Sequence, residues 1–447
     1  MSKPLLNRRR MLAGLAAAGA LPLAAPVLAQ ALGGNKLGLV ADSPDDQSAV
    51  FQEALIKAAT DGRPLFVPPG TYLVGNLQVP SNLTIEGVPG DTILASAGAH
   101  AVLRIAGSAH VRLTGLSFLA AAGGPDKPDS GLVEIEASST VDIEGCSFQG
   151  GLAHGIVVRE ASARIAGCEF SHHGLAAIFS TDSRGLDISG NHIMACSNGG
   201  ILIWGSKSRH DGSIVSGNTI SGIGWTNGGN GQNGNGINVY RCDDVIVSDN
   251  QISDCAFSAV RLNSTKNVSV TGNVCRKSGE VAIFSEFAFS GSVIANNIID
   301  GAATGISITN LDQGGRLAVC SGNLVRNISA SSAVNPDTRP VGIYAEADTV
   351  VASNTIDNVP GIGILAGNGP FLSNVAINAN TISGTATGIA VSTVHEAQTG
   401  KASVSNNLIS GSTTPIAGRA WDKVTSTDLA ADAAQFPNIT LSGNIAS

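Results

Sequence analysis

The sequence predicts an all-β chain folded as a parallel β-helix of roughly 12–13 coils, closed at its N-terminal end by a short helix. The first observation is a recurring six-residue phrase, as in Ile188-Ser-Gly-Asn-His-Ile193 and Val215-Ser-Gly-Asn-Thr-Ile220. The second is the alternation of apolar and polar residues around each phrase, which is typical of strands. The third is the spacing of the phrases, 23 to 37 residues from Asn191 onwards. The shorter spacings fit one coil of about three short strands, and longer ones indicate insertions in turns.

One position of the phrase holds asparagine in ten successive units: Asn191, Asn218, Asn250, Asn273, Asn297, Asn323, Asn354, Asn380, Asn407 and Asn444. Because equivalent positions of neighbouring coils stack about 4.8 Å apart, we expect these side chains to form a ladder of amide hydrogen bonds. Asparagine also tolerates the left-handed backbone expected at a bend. Cys146 and Cys168 occupy the same position upstream and are expected within disulfide reach, although buried free thiols are predicted for all seven cysteines.

Both ends of the solenoid need a cover. Residues 41–62 predict an N-terminal cap helix, with Ser43 as N-cap, Pro44 at the first helical position and an apolar face of Phe51, Ala54, Leu55 and Ala58. Residues 418–437, with Trp421 and an Ala-rich stretch, predict a capping insertion at the other end. The β-helix domain is expected to span residues 32–447.

Residues 1–31 predict a signal peptide of the twin-arginine type. Arg8, Arg9 and Arg10 precede an apolar, Ala-rich run that ends in small residues. Export through the twin-arginine transport machinery to the periplasm or the medium is therefore expected.

The composition excludes several classes of protein. Charged residues make up only 13% of the chain, against about 25% in a typical soluble domain, while 43% are hydrophobic, so the chain is not disordered. Removal of Lys3 and the three arginines of the leader leaves 22 basic residues against 34 acidic ones. Nucleic acid is therefore not an expected partner.

The segments Pro64-Leu-Phe-Val-Pro-Pro-Gly-Thr-Tyr72 and Ser81-Asn-Leu-Thr-Ile-Glu-Gly87 resemble the N-terminal cap and first full coil of the pectate-lyase-like superfamily. With the leader, the chain is most similar to twin-arginine-translocated repeat proteins of that superfamily. The resemblance implies a right-handed helix and activity on polysaccharides as a lyase, hydrolase or epimerase. The chain departs from the enzymes in lacking the Asp-Pro-His-Asp segment of alginate epimerases and the residue set of polygalacturonases.

A candidate site lies on the strand that begins Gly-Ile or Ala-Ile in each unit. With isoleucine inward, the residues one and three positions later face outward. We call these residues the outer strip: Leu202, Trp204, Asn238, Tyr240, Arg261, Asn263, Phe284, Glu286, Ser307, Thr309, Tyr344 and Glu346. Rings beside hydrogen-bonding groups suit a sugar chain. The long turn 223–235 and the insertion 330–340 are expected to wall a cleft beside it.

The candidate catalytic residues are Glu286, Glu346 and Arg261. The two glutamates lie two coils apart, about 9.6 Å by the strand spacing, near the upper limit for inverting glycoside hydrolysis. Alternatively, Arg261 neutralises a uronate while a base removes its α-proton, as in a lyase. The candidate substrate-binding residues are Trp204, Asn238, Tyr240, Asn263, Tyr344 and Trp225.

Two functions remain open from the sequence. One is an exported polysaccharide lyase or glycoside hydrolase; the other is a non-catalytic glycan-binding or structural envelope protein. The expected partner is a polysaccharide or cell-envelope glycan, and a monomer is expected. No cofactor or metal is predicted, calcium being left open without a motif, and a cluster of four histidines is predicted to lie in solvated turns: His154, His172, His173 and His192.

Overall fold

The computed structural model describes residues 31–121, 124–229, 231–396 and 399–447. These residues form a right-handed parallel β-helix of about 14 turns with one short helix near the N-terminus, which confirms the predicted fold class at a slightly larger coil number. The predicted signal peptide lies outside the described residues except for Ala31. Among the described helices, none is long and apolar enough to span a membrane.

The first sheet holds 16 strands, paired in parallel along the axis. Its strands are Leu32–Gly33, Leu65–Phe66, Thr84–Glu86, Ala109–Thr114, Ser139–Glu144, Ala163–Ala166, Asp187–Ser189, Ile214–Ser216, Ile246–Ser248, Lys266–Thr271, Ser290–Ala295, Arg316–Ser321, Ala347–Ala352, Ser373–Asn378, Ala402–Ser405 and Ile439–Ser442.

The second sheet holds 27 strands and bends along its length into two faces. The face that follows the asparagine ladder contains Ser43–Asp46, Gly70–Val74, Thr92–Ser96, Ser117–Leu119, Ser147–Gln149, Glu169–Ser171, His192–Met194, Thr219–Ile223, Gln251–Cys255, Leu324–Ile328, Leu408–Ser410 and Ile445–Ala446. The face that carries the outer strip contains Leu77–Gln78, Leu103–Ala106, Gly131–Glu136, His154–Arg159, Ala176–Thr181, Gly199–His210, Asn235–Asp243, Val260–Asn263, Val341–Ala345, Thr414–Ala420 and Lys423–Ser426. Four strands run through the bend into both faces: Val274–Glu286, Ile298–Ile308, Thr355–Ala366 and Thr381–Ser392.

The N-terminal helix spans Ser48–Thr60 and buries the predicted apolar face of Phe51, Ala54, Leu55 and Ala58. It begins later than the sequence predicts. Ser43–Asp46, which includes Pro44, does not form the first helical turn. It forms a strand that pairs with Gly70–Val74. The Asp46 carboxylate accepts a hydrogen bond from the Ser48 backbone N–H at 2.8 Å.

The asparagine ladder is continuous from Asn191 to Asn444. At each step the backbone N–H and the side-chain amide of one asparagine donate to Oδ1 of the next, as from Asn191 to Asn218 at 2.9 Å for both bonds. The left-handed residue, however, is the one before each asparagine, such as Gly190 and Gly217. The bend therefore uses this preceding residue, which leaves the asparagine free to stack.

The N-terminal coils lack the ladder asparagine, so other side chains stabilise the stacking of one coil on the next. Phe118, Phe148 and Phe170 stack inside the solenoid with ring centroids 4.9 Å and 4.8 Å apart and nearly parallel planes. Cys146 and Cys168 occupy the asparagine position here, and all seven cysteines are buried and free. The prediction of free buried thiols is confirmed.

At the C-terminal end, Thr414–Ala420 pairs with Lys423–Ser426 in antiparallel fashion. Leu429 returns to the core and is fully buried. Short 3-10 helices occur at three places in the described chain: Gly34–Leu37, Leu311–Gln313 and Ala433–Gln435.

Two of the four clustered histidines are buried, contrary to the prediction of solvated turns. His173 is fully buried beside Phe170, and His154 stacks on Phe179 with ring centroids 4.7 Å apart. His172 takes a left-handed backbone, which turns the following side chain inward. Nδ1 of His154 accepts a bond from Ala176 N, so the neutral ring carries its proton on Nε2, which donates to Pro128 O at 3.0 Å.

Mild acid should destabilise the fold through these buried rings. Burial lowers the pKa of His154 and of His173 to about 4, whereas an unfolded histidine has a pKa of about 6.5. Between these values only the unfolded chain binds the protons. The free energy of unfolding should therefore fall from about pH 6.5 to pH 4, by up to about 3 kcal/mol per histidine. Urea unfolding at several pH values in this window measures the slope.

The matched variants are His173→Gln, at the buried position, and His192→Gln, at an exposed one. The first should flatten the pH dependence of the unfolding free energy and the second should leave it unchanged. If the unfolding free energy of His173→Gln falls with pH as steeply as that of the wild type, the buried His173 ring is not a cause of the pH dependence.

Candidate functional site

The outer strip forms the column that the repeat predicts. Strand pairing aligns Trp204 with Tyr240, Tyr240 with Asn263, and Asn263 with Glu286. The parallel column aligns Asn238 with Arg261. These pairings follow from the one-period offset of a solenoid, in which each strand hydrogen-bonds to its equivalent in the next coil.

A cleft of about 420 Å³ opens on this strip. Four neighbouring coils, which carry Trp204, Tyr240, Asn263 and Glu286, contribute eight residues to the outer strip. Six of the eight line the cleft, Leu202 and Phe284 being the exceptions, and three residues from neighbouring loops complete the lining. The lining residues are Trp204, Gly231, Gln232, Asn238, Tyr240, Arg261, Asn263, Glu286 and Phe287. An aromatic run borders the cleft, since the ring of Trp204 meets Tyr240 edge-on at 6.2 Å and Phe179 edge-on at 5.3 Å.

Arg261 at the floor of the cleft is held by two carboxylates. Its Nε and Nη2 donate to the two oxygens of Glu286 at 2.7 and 2.8 Å, and its Nη1 donates to Glu280 at 2.9 Å. The side chains of Arg261, Glu280 and Glu286 are at most 7% exposed. We call these three residues the ion-pair triad. Asn263 supplies a further hydrogen bond to Glu286 at 3.0 Å.

The electrostatics of the triad favour the charged arginine. Burial acts to lower the pKa of Arg261, but Glu286 and Glu280 outweigh burial and raise that pKa above its ordinary value. Burial raises the pKa of Glu280, opposed by the charge of Arg261. The guanidinium is therefore committed to its two partners, and the triad carries one net negative charge when both glutamates are ionised.

The long turn 223–235 closes over the triad. Gly231 takes a positive φ of 127° and lies so close that a side chain there would collide with the Arg261 guanidinium. The Asn235 and Asn238 amides donate to Gly231 O at 2.7 and 3.4 Å. Among the described residues, Oδ1 of Asn238 and Nε1 of Trp204 are buried without a hydrogen-bond partner. Two cleft side chains thus retain unused polar atoms.

Tyr344 and Glu346 belong to the neighbouring part of the strip. Tyr344 lines a second cavity of about 240 Å³, which Glu280, Phe284 and residues of the insertion also line. The Tyr344 hydroxyl donates to Oε1 of Glu346 at 2.5 Å, and Leu311 N donates to Oε2 at 2.9 Å. Burial raises the pKa of Glu346, opposed by these two donors, and burial beside Glu346 also raises the pKa of Tyr344.

Several predicted roles change in the structure. Trp225 does not line the cleft: its ring packs on Phe257 at 5.0 Å and its Nε1 donates to Gly229 O. Glu346 uses both oxygens within the protein and does not line the cleft that holds Glu286. Arg261 donates from Nε, Nη1 and Nη2 to Glu286 and Glu280, so its charge is paired with carboxylates of the protein and not with a uronate.

The structure adds three residues that the sequence pattern did not predict: Glu280, Gln232 and Phe179. Glu280 lies where the pairing of Val274–Glu286 with Ile298–Ile308 shifts register, so alternation does not predict its direction. Gln232 lies in a glycine-rich turn, where no periodicity applies. Phe179 is one position after Ile178, in register with Leu202, and extending the outer strip by one coil would have found it.

The fold and site define a parallel β-helix protein with a solvent-facing cleft on one face. The sequence profile of the family "Periplasmic copper-binding protein (NosD)" matches residues 125–255 and 222–330. No curated protein matches the chain in sequence. Among the described residues, no group of three or more His, Cys, Asp or Glu side chains is placed to hold a metal ion.

Solved structures show the same fold at low sequence identity. A PL6 alginate lyase in complex with a trisaccharide aligns with a TM-score of 0.52 and 13% identity, covering 94% of this chain and 96% of the lyase. A mutant tailspike protein of E. coli bacteriophage HK620 in complex with a hexasaccharide aligns with a TM-score of 0.50 and 13% identity, covering 93% of this chain and 79% of the tailspike. At this identity the likeness concerns the fold.

Proposed function

We propose that this chain is an exported β-helix protein that binds a polysaccharide along the cleft of the outer strip. The observation that carries the proposal is the lining of that cleft, in which the rings of Trp204 and Tyr240 stand beside the amides of Asn238 and Asn263 and the carboxylate of Glu286. Aromatic faces pack on the apolar faces of sugar rings, while amides and carboxylates pair with hydroxyl groups.

Two further considerations support an exported glycan-binding protein. The predicted leader and the name of the periplasmic family whose profile matches both favour a periplasmic or secreted location. The two similar folds were each solved with an oligosaccharide bound, an alginate lyase with a trisaccharide and a phage tailspike with a hexasaccharide.

Trp204→Ala should weaken polysaccharide binding by about tenfold or more, because central tryptophans typically contribute 2 kcal/mol or more to an interface. Affinity electrophoresis in gels that contain a single polysaccharide measures the change. Trp421→Ala is the matched control, since Trp421 packs against Phe371 outside the cleft and is half exposed. Equal retardation of both variants and wild type would refute the cleft as the binding site.

Polysaccharide cleavage is the second candidate, and the environment of Glu346 favours it. A carboxyl group whose pKa is raised by burial and that is hydrogen-bonded to a tyrosine resembles the proton donor of a glycosidase or lyase. In this scheme Glu346 supplies the proton and Glu286 acts as the second carboxylate, two coils away.

Product analysis separates the two candidates. Reducing ends mark a hydrolase, absorbance of unsaturated products marks a lyase, and changed uronate stereochemistry by NMR marks an epimerase. Glu346→Gln should then lower turnover by about 100-fold or more, whereas the exposed Glu169→Gln should not. A chain that binds but releases no product from any bound polysaccharide is a non-catalytic binder.

A further inference from the structure

We infer that the cleft selects an uncharged glycan and discriminates against polyuronates, an inference that rests on the proposed function. This inference depends on the charges of the residues that line the cleft. Arg261 is the cation among the lining residues, and three of its five N–H groups donate to the carboxylates of Glu286 and Glu280. With both glutamates ionised, a polyuronate entering the cleft meets a triad of net negative charge, in which the positive charge of Arg261 is already paired with two carboxylates.

A second arginine lies beside the cleft but does not line it. Arg241 lies over the Tyr240 ring at 4.7 Å from the centroid, donates to Ser206 O, and is not among the residues that line the cleft. The chain as a whole carries a formal net charge of −8. Electrostatic steering therefore works against a polyanion before it reaches the cleft.

The hydrogen-bonding groups point to the same ligand class. Among the described residues, Oδ1 of Asn238 is a cleft acceptor without a hydrogen-bond partner. An acceptor of this kind needs a donor from the ligand. A sugar hydroxyl donates and accepts, whereas an ionised uronate carboxylate only accepts and leaves this oxygen unpaired.

The aromatic rings add affinity without requiring charge. Trp204 and Tyr240 lie on adjacent coils with edge-on geometry, so their exposed surfaces follow one another along the solenoid axis. Rings placed in this way contact successive sugar units of one chain through apolar faces. Together with the unpartnered acceptor of Asn238, they describe a site for a neutral hexose or pentose polymer.

Affinity electrophoresis at pH 7 and 150 mM salt tests the inference with two probe classes. The uncharged probes are a β-glucan, a galactan, a mannan and dextran; the charged ones are polygalacturonate and alginate. At least one uncharged probe should bind about tenfold or more tightly than either polyuronate. In Glu286→Gln, which frees Nε and Nη2 of Arg261 from a carboxylate, polyuronate binding should increase about threefold or more, while Glu169→Gln should behave as wild type.

The comparison of uncharged and polyuronate probes on the wild-type protein tests the inference even if Glu286→Gln fails to fold. A polyuronate that binds wild type more tightly than any uncharged probe, and whose binding Trp204→Ala weakens, overturns the inference and leaves the proposed function in place. Binding to neither probe class, or binding that Trp204→Ala does not change, overturns the proposed function as well.

Discussion

Replacing Arg261 by methionine should lower the free energy of unfolding by about 3 to 5 kcal/mol, because Glu280 and Glu286 remain buried without a counter-ion. Both carboxylates are only 4% exposed, so water does not replace the lost partner. Urea unfolding at pH 7, followed by circular dichroism, measures the loss. The turn 223–235, which packs on the guanidinium through Gly231, should also exchange its amide hydrogens faster.

Two controls make this prediction specific. Arg112→Met removes an arginine whose side chain is 50% exposed and whose partners are Asp142 and Glu144, so it should cost less than about 1 kcal/mol. Adding Glu280→Gln and Glu286→Gln to Arg261→Met removes the stranded charges and should restore most of the loss. Similar costs for Arg261→Met and Arg112→Met would show that the triad is not electrostatically isolated from water.

Asn297→Ala should lower the free energy of unfolding by a comparable amount, about 3 to 5 kcal/mol, because it interrupts the ladder at its middle. Oδ1 of Asn297 accepts bonds from the backbone and side-chain N–H groups of Asn273 at 3.0 Å, and its amide donates to Val270 O at 2.9 Å. Truncation leaves a buried backbone donor and a buried backbone acceptor unpaired, at about 1–3 kcal/mol each, in addition to the lost contact with Asn323.

The damage should be local, since each coil contacts only its neighbours. Hydrogen exchange should accelerate in peptides around residues 270–297 and remain unchanged in the N-terminal coils that the phenylalanine stack holds. Thr381→Ala is the control, an exposed position directly after the ladder residue Asn380, and should change stability by no more than about 0.5 kcal/mol. Uniform acceleration along the chain would argue against nearest-neighbour coupling.

Acid–base catalysis requires carboxylate oxygens of Glu346 and Glu286 that are free to act on the substrate, whereas in the structure both carboxylates are hydrogen-bonded within the protein. Glu346 accepts two hydrogen bonds from the protein, and Glu286 holds both oxygens against Arg261. Such partners orient a carboxylate but also occupy it. Binding through the cleft requires no release of these contacts, which is why it ranks ahead of cleavage as the function that the geometry supports.

The sequence by itself determined the solenoid, the asparagine ladder and the membership of the outer strip. These features depend on one rule, that a position and its equivalent one period later become hydrogen-bonded neighbours. Trp204 and Tyr240, or Asn263 and Glu286, are therefore paired as soon as the repeat is aligned. Alternation along the strand then places their side chains on the outer face.

Only the tertiary structure decided what those side chains do. Glu280 enters the triad at a register shift, and His173 turns inward after a left-handed residue, so alternation predicts neither. The variable loops also lie outside the repeat rule: Gly231 closes the cleft, while Trp225 of the same turn packs on Phe257 instead. Side-chain direction at bends depends on local backbone angles and on contacts between coils, and a periodic pattern carries information on neither.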